Sequence, residues 1–225
     1  MHESSFARMK EVVERHLKQR YTETLRILDV GSSDVNGTYR PLFKKSNWEY
    51  VGLDVAPSPG VDVVVRELYR WREISSGSFD VVISGQAFEH IEFVWASVLE
   101  VARSLRPGGL FILIVPSSGP EHRYPVDCWR FYRDGITALA HWADLNVVEA
   151  RTYWDDEGWP EPDGDQWHDS VLIAQKPLGR ARALTAGKQR LLRWITLLQA
   201  QRRSAEVACT TAPCALGASD PARVR

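Results

Sequence analysis

Cysteine is scarce in this sequence of 225 residues, with only Cys128, Cys209 and Cys214 present. None lies in the short paired spacing that holds zinc or forms a redox couple, so a disulfide scaffold and a zinc module are both excluded, and a reducing compartment fits. Long hydrophobic runs are missing as well. The longest, Leu110 to Pro116, falls far short of the roughly 20 apolar residues of a membrane helix, and Met1 to Lys10 holds no apolar signal core. A cytoplasmic location is the expectation. There is no excess of either charge: 28 Lys and Arg meet 29 Asp and Glu. Residues 177–225 nevertheless hold nine Lys and Arg against Glu206 and Asp220, a local +7. The −8 left on the rest gives the main body no basic face for nucleic acid. No internal repeat is visible.

What is present is the composition of a soluble globular protein, 44% hydrophobic and 25% charged, at a length suited to one domain with appendages. Phe6, Met9, Val13 and Leu17 recur at helical spacing, so residues 4–19 read as an amphipathic helix that packs on a sheet edge or covers a ligand. Seven apolar runs follow: Leu25 to Val30, Tyr50 to Val55, Val61 to Val65, Phe79 to Ser84, Leu110 to Val115, Asn146 to Arg151 and Ser170 to Gln175. The first five alternate with helix-length segments and lack polar alternation, as strands buried on both faces of a parallel sheet require. A helix is expected from Ala87 to Leu105, with Phe88, Ile91, Trp95, Leu99 and Ala102 on one stripe and Pro107-Gly108-Gly109 stopping it. Another is expected from Arg130 to Trp142. Only the Gly-, Pro- and Asp-rich segment Asp155 to Asp169 separates the last two strands, which predicts an antiparallel hairpin. The organisation is thus a helix over 1–21, an α/β domain over 22–176, a basic amphipathic helix over 177–204 and a tail over 205–225 without periodicity, expected to be disordered. The basic helix, marked by Leu191, Trp194, Ile195 and Leu198, docks on its own domain or on a second subunit, as in a homodimer.

The segment Ile27-Leu28-Asp29-Val30-Gly31-Ser32-Ser33-Asp34-Val35-Asn36-Gly37 is a hydrophobic strand running into a small-residue turn, where the backbone must pass close to a ligand. About twenty residues on, Leu53-Asp54-Val55 ends the second strand with an acid able to accept hydrogen bonds from both hydroxyls of a ribose. Together they describe a nucleoside site. The bland alternative is a turn glycine and a strand-terminal aspartate in a fold that binds nothing. The G-x-G-x-x-G pattern that cradles a dinucleotide pyrophosphate is absent, so NAD and FAD fit less well.

Those residues, with Gly52-Leu53-Asp54, Ser78-Phe79-Asp80-Val81-Val82-Ile83-Ser84, Phe88-Glu89-His90-Ile91 and Leu105-Arg106-Pro107-Gly108-Gly109, resemble the class I S-adenosylmethionine-dependent methyltransferases, above all their small type 11 group. The likeness covers about residues 22–176. It implies a Rossmann-like, mostly parallel seven-stranded sheet with a reversed terminal hairpin, helices on both faces, and S-adenosylmethionine as cofactor. It also implies that Asp29 and Gly31 lie beside the methionine moiety, that Asp54 holds the ribose, that Glu67 meets the adenine amino group, and that Gln86 lines the cofactor site. Ser33 stands where the family commonly has a second glycine, so the loop path differs.

An activated methyl group leaves the protein little covalent chemistry beyond holding a nucleophile in line and excluding water. An alcohol acceptor must still lose its proton, and the candidates for that step are His90, His122 and Asp127. The segment from Gly119 to Tyr132 packs charge and aromatic rings densely for a connection, and is the expected acceptor site. In it Arg123 and Arg130 suit an anionic group, and Tyr124 and Trp129 a ring. Otherwise it is an ordered loop whose arginines pair with its own acids. Its His-Arg-Tyr-Pro-Val-Asp-Cys-Trp-Arg-Phe-Tyr run resembles methyltransferases of bacterial sugar and natural-product pathways, which favours O-methylation of a small-molecule or glycosidic acceptor. Trp154, Trp159, Trp167 and His168 flank an acidic hairpin whose spacing matches no metal loop, and no metal ligand set is assigned. The competing reading is an inactive methyltransferase-like binding module or partner subunit.

Overall fold

The computed structural model describes residues 2–154, 167–178, 187, 190–195 and 197–198. One seven-stranded sheet organises them: β1 (Leu25–Val30), β2 (Trp48–Asp54), β3 (Val63–Val64), β4 (Phe79–Gly85), β5 (Leu105–Val115), β6 (Asn146–Thr152) and β7 (Ser170–Gln175), in the order β3-β2-β1-β4-β5-β7-β6. The pairings from β3 to β5 are parallel, and β7 enters antiparallel between β5 and β6. All seven expected strands are present, β1 and β7 with the expected ends. Helix α1 (Glu3–His16) covers one face, and α2 (Val94–Ser104) and α3 (Arg133–Trp142) stand among the buried residues of the other.

Side chains of a strand alternate between faces, and two apolar sets along each central strand build two cores. Leu25, Ile27, Val81, Ile83, Ile112, Ile114, Val171 and Ile173 join Met9 and Val13 of α1 and Leu17 just after it. Leu28, Val30, Val82, Phe111, Leu113, Leu172 and Ala174 join Val98, Leu99 and Ala102 of α2 and Ile136 and Ala140 of α3.

Most element ends shift by a few residues from the sequence reading, and three shifts arise because the backbone is used elsewhere. Helix α2 starts at Val94, because Phe88–His90 form a short 3-10 turn and Ile91 is extended. The carbonyls of Glu89 and Ile91 accept instead from the Cys128 amide (2.7 Å) and the Trp129 indole N–H (2.9 Å). Pro107-Gly108-Gly109 lies inside β5 at an irregular register, with Gly108 at φ 78°. Helix α3 starts at Arg133, since the Phe131 amide is spent on the Pro116 carbonyl. The Trp159 and acidic-hairpin expectations lie outside the described residues, as does the 205–225 tail. Residues 190–195 are helical and dock on their own domain, with Leu192 on the α2 core and Arg193 Nε 2.5 Å from the buried Glu100 carboxylate. Among the described residues no helix is long and apolar enough to cross a membrane.

Ile112 has no exposure at the centre of the sheet, whereas Val148 on the edge strand is 52% exposed. Ile112→Ala is expected to cost about 2–5 kcal/mol in urea unfolding, and Val148→Ala within about 0.5 kcal/mol of nothing.

Candidate cofactor and acceptor cavity

Strand order reverses between β1 and β4, so the connections leaving these strands turn to opposite sides and a crevice opens at their carboxyl ends. There the structure has a cavity of about 1390 Å³, running from the ends of β1 and β2 to the loop after β5. Gly31 turns the chain at the end of β1 with φ 81°, and a Cβ on it would lie 2.3 Å from that of Ala87. Only glycine lets the two connections pass this closely. Helix α1 closes one side: Ser5 Oγ is 2.5 Å from the Tyr39 hydroxyl, and Gln86 Nε2 donates to Ser5 and, at 2.9 Å, to Asp169. His2, just before α1, stacks on Trp167 across the cavity mouth.

Four acids stand at these strand ends. Asp54 lines the cavity, its two oxygens accepting from the Ser33 amide (3.0 Å) and the Val55 amide (2.7 Å). One backbone donor per oxygen fixes the carboxylate and leaves lone pairs for two hydroxyls. Asp29 accepts a hydrogen bond from the Tyr50 hydroxyl, and burial pushes its carboxyl up to about 7, against the pull of Tyr50 and Arg40 and with the repulsion of Asp54. Asp169 accepts from Ser4 and Gln86. Glu89, with no exposure, is pushed up to about 8 by burial, and neither of its oxygens takes a hydrogen bond from another residue.

The structure thus brings Asp29, Gly31, Asp54 and Gln86 together on one cavity wall, with Gln86 at φ 55° where β4 leaves the sheet. It does not bring Glu67. That side chain turns to Arg72, 2.7 Å away, and its neighbours Arg66, Leu68 and Tyr69 line the cavity in its place.

The loop after β5 divides in two. His122, Arg123, Tyr124 and Cys128 line the cavity, together with His90 from the β4 side. His90, His122 and Tyr124 meet edge to face, the two imidazoles with centroids 4.9 Å apart. Asp127, Trp129 and Arg130 do not line it. The Asp127 carboxylate takes both Arg130 N–H donors at 2.6 and 2.8 Å and the His122 amide at 2.8 Å, which holds it down at about 2. Spent on these donors and turned away from the cavity, the Asp127 carboxylate is placed to brace the loop rather than to meet a substrate proton. Arg130, committed to Asp127 and to the Pro120 carbonyl, is likewise not free for an anion. Trp129 packs against Trp95 and donates to Ile91. Of the acids that sequence reasoning missed, Glu89 sits in a quoted motif, but nothing in the string announces that it is buried. Asp169, at the edge of the last connection, gave no signal at all.

The strand order and reversed hairpin are those of the Rossmann-like methyltransferase fold, and the acid-walled crevice lies at its ligand-binding end. Residues 28–113 match the model of the family described as Methyltransferase domain. The fold is similar to that of 1,6-didemethyltoxoflavin-N1-methyltransferase of Burkholderia thailandensis, solved with its acceptor and S-adenosylhomocysteine, at 18% identity over 78% of this chain and 80% of that one, TM-score 0.58. It is also similar to an S-adenosylmethionine-dependent methyltransferase from Methanosarcina mazei (15% identity, 73% of this chain and 98% of that one, TM-score 0.55). A third likeness is to the CurJ carbon methyltransferase (13% identity, 77% and 54%, TM-score 0.56). No curated protein matches the sequence. The residues fit the cofactor S-adenosylmethionine: a fixed carboxylate for a diol, and beside it the buried Asp29, short of neutralising charge, for a cationic moiety.

Asp29 gives a pH signature. Its carboxyl ionises near 3.8 in the unfolded chain and near 7 in the fold, so the folded state holds the extra proton. Stability of the ligand-free protein should therefore fall as pH rises from about 4 to about 7, and Asp29→Asn should flatten that slope in urea unfolding. A cationic ligand group favours the ionised form, so affinity for S-adenosylhomocysteine should rise with pH up to about 7 in calorimetry, with proton release below it. Arg40, Tyr50 and Asp54, the other groups facing Asp29, are retained in that comparison.

Proposed function

We propose that this methyltransferase methylates a hydroxyl oxygen of a small-molecule or glycosidic acceptor in a biosynthetic pathway of the cytoplasm. The observation that carries the reading is that one continuous cavity joins the Asp54 wall to the His90, His122 and Tyr124 wall. Donor and acceptor thus share one space, which in-line transfer requires. When bound, S-adenosylmethionine supplies an electrophilic methyl group on a sulfonium. The residues of the chain then have three tasks.

Asp54 accepts from the ribose hydroxyls, while Asp29 and Gln86 face the amino-acid moiety. Tyr124 offers a ring at the acceptor end, with Trp167 and the His2 stacked on it closing the mouth, where a sugar or aromatic acceptor packs and water is displaced. His90 and His122 are the groups there able to deal with a hydroxyl proton. Burial holds His90 below the usual imidazole range, so it is uncharged at neutral pH. Arg123, exposed and paired only with the exposed Glu121 at 2.7 Å, is the cation within reach of an anionic substituent. Imidazole and phenol groups set among Ile91, Pro125 and Val126 give the acceptor end a few placed polar groups on an apolar wall, which suits a hydroxyl-bearing acceptor.

Transfer of tritiated methyl groups to a panel of glycoside, phenol, amine and carbon-acid acceptors tests the reading, with hydroxyl acceptors expected to be labelled. Labelling confined to amines or carbon acids, or donor binding without any transfer, overturns it. Asp54→Ala is expected to weaken S-adenosylhomocysteine at least about tenfold in calorimetry, in line with the loss of charge-assisted hydrogen bonds, with unchanged far-ultraviolet dichroism.

A further inference from the structure

We propose that Glu89, His90 and His122 bind one first-row divalent cation of the zinc and cobalt type at the acceptor end of the cavity. One candidate ligand atom from each of the three lies within 4.8 Å of the others. Around an ion with bonds of roughly 2.0–2.2 Å, donors stand about 3–4 Å apart, so modest side-chain rotation completes the set.

The independent observation is the state of Glu89. Its carboxylate has no exposure, and no other residue donates a hydrogen bond to either oxygen, its own backbone amide being the one donor that pulls on it. Buried carboxylates are otherwise paired or hydrogen-bonded, since desolvation is costly. The nearest titratable partner makes the deficit worse. His90 Nδ1 lies 2.6 Å from the Val126 carbonyl oxygen, which can only accept, so Nδ1 carries the proton and Nε2 keeps its lone pair. That lone pair faces Glu89 Oε1 across 3.7 Å. With Glu89 ionised these are two electron-rich atoms at this separation, and a cation between them takes the place of the proton that burial otherwise leaves on the carboxyl.

His122 is prepared in the same way. Its Nδ1 lies 3.3 Å from the Pro120 carbonyl and 3.4 Å from the Asp127 carboxylate, leaving Nε2 as the donor atom. An imidazole anchored through one nitrogen to a carbonyl or carboxylate and free at the other is the usual outer arrangement of a metal-binding histidine. Asp127, clamped by Arg130, is on this view a positioning residue for His122. Two imidazole nitrogens and one carboxylate oxygen suit zinc, cobalt, iron or manganese, and suit magnesium poorly because it prefers oxygen throughout.

Three protein donors leave coordination positions open, and His90 and His122 line the cavity. A hydroxyl oxygen of the acceptor is the ligand for one of them, and coordination lowers its pKa. Its proton passes to water, its electron pair forms the O–CH₃ bond, and the C–S bond breaks with its pair going to sulfur. This last step rests on the O-methylation reading above; the cation site does not.

The test uses tag-free full-length protein, stripped with chelator and titrated with Co²⁺ by visible absorption and by metal analysis after gel filtration. One equivalent is expected to bind with ligand-field bands, at least about tenfold more weakly in each of Glu89→Gln and His122→Ala. Thermal unfolding without metal checks that both fold, and should Glu89→Gln not fold, His122→Ala on the loop carries the comparison. No saturable Co²⁺ binding, binding unchanged by both variants, or an infrared band of a protonated carboxylic acid that disappears in Glu89→Gln and does not respond to Co²⁺, overturns the site. S-adenosylhomocysteine calorimetry runs alongside. Nucleoside binding without Co²⁺ sinks the cation site alone, and Co²⁺ binding without nucleoside binding sinks the cofactor reading alone.

Discussion

The crevice at the strand ends holds more acid than its own donors neutralise, and the rest of the structure depends on that imbalance. Asp29, Asp54, Glu89 and Asp169 come from the ends of β1, β2 and β4 and the start of β7, so the topology that opens the crevice also gathers the charge. Asp54 raises Asp29 and Asp169 raises Glu89, on top of what burial does to each. Only one arginine, Arg40, pulls on Asp29, and the strongest cation near the acceptor end, Arg130, is already paired with Asp127. A negative, enclosed wall of this kind selects cationic partners because its field acts at low dielectric. A sulfonium with an ammonium group answers one end of it and a divalent cation the other.

Rigidity around this wall comes from apolar packing on one side and polar bracing on the other. The two faces of the sheet are filled by interleaved Val, Ile and Leu, which fixes where the strands end. The loop after β5 has no such core of its own. It is held by the Asp127–Arg130 pair, by the Cys128 amide on the Glu89 carbonyl and by the Trp129 indole on the Ile91 carbonyl. The last two of these bonds tie it to the turn after β4, so the wall that carries His122 is fastened to the wall that carries His90. The run from His122 to Val126 faces the cavity while Asp127, Trp129 and Arg130 brace it from behind, which is why its dense charge yields so few free groups.

Much of this fold was legible in the string, because buried parallel strands have an unmistakable composition and a reversed hairpin needs no helix between its strands. Leu25–Val30 and Ser170–Gln175 show the rule at its clearest. The place of Asp54 in the crevice was legible for a similar reason, since an acid closing an apolar strand of a parallel sheet stands at its carboxyl end. Helix starts were not: Phe88, Glu89 and His90 continue the apolar stripe of α2, yet tertiary hydrogen bonds to the later loop outweigh a helical turn there. Glu67 and Asp127 show the limit at side-chain level. Each was chosen as a polar group in the right loop, and each is claimed by a nearby arginine; for Asp127 the string offered that pairing as the alternative but could not decide it, and for Glu67 it gave no hint.

The position of the cation pocket relative to the donor wall bears on why an enzyme of this fold would need one. Methyl transfer from a sulfonium has no acid–base demand of its own, so the barrier lies in the nucleophile. Amines and stabilised carbanions arrive already reactive, and for them a crevice that orients and excludes water suffices. An alcohol is a poor nucleophile until its proton leaves, and His90, uncharged but with Nδ1 spent on Val126, offers one buried nitrogen as a weak base. Placing a cation at that nitrogen changes the source of the activation from proton affinity to Lewis acidity, which does not require the imidazole to release a proton in each cycle. Asp127, fixed near 2, then keeps the single job its ionisation permits, holding the Nδ1 side of His122 so that the other nitrogen points away from it.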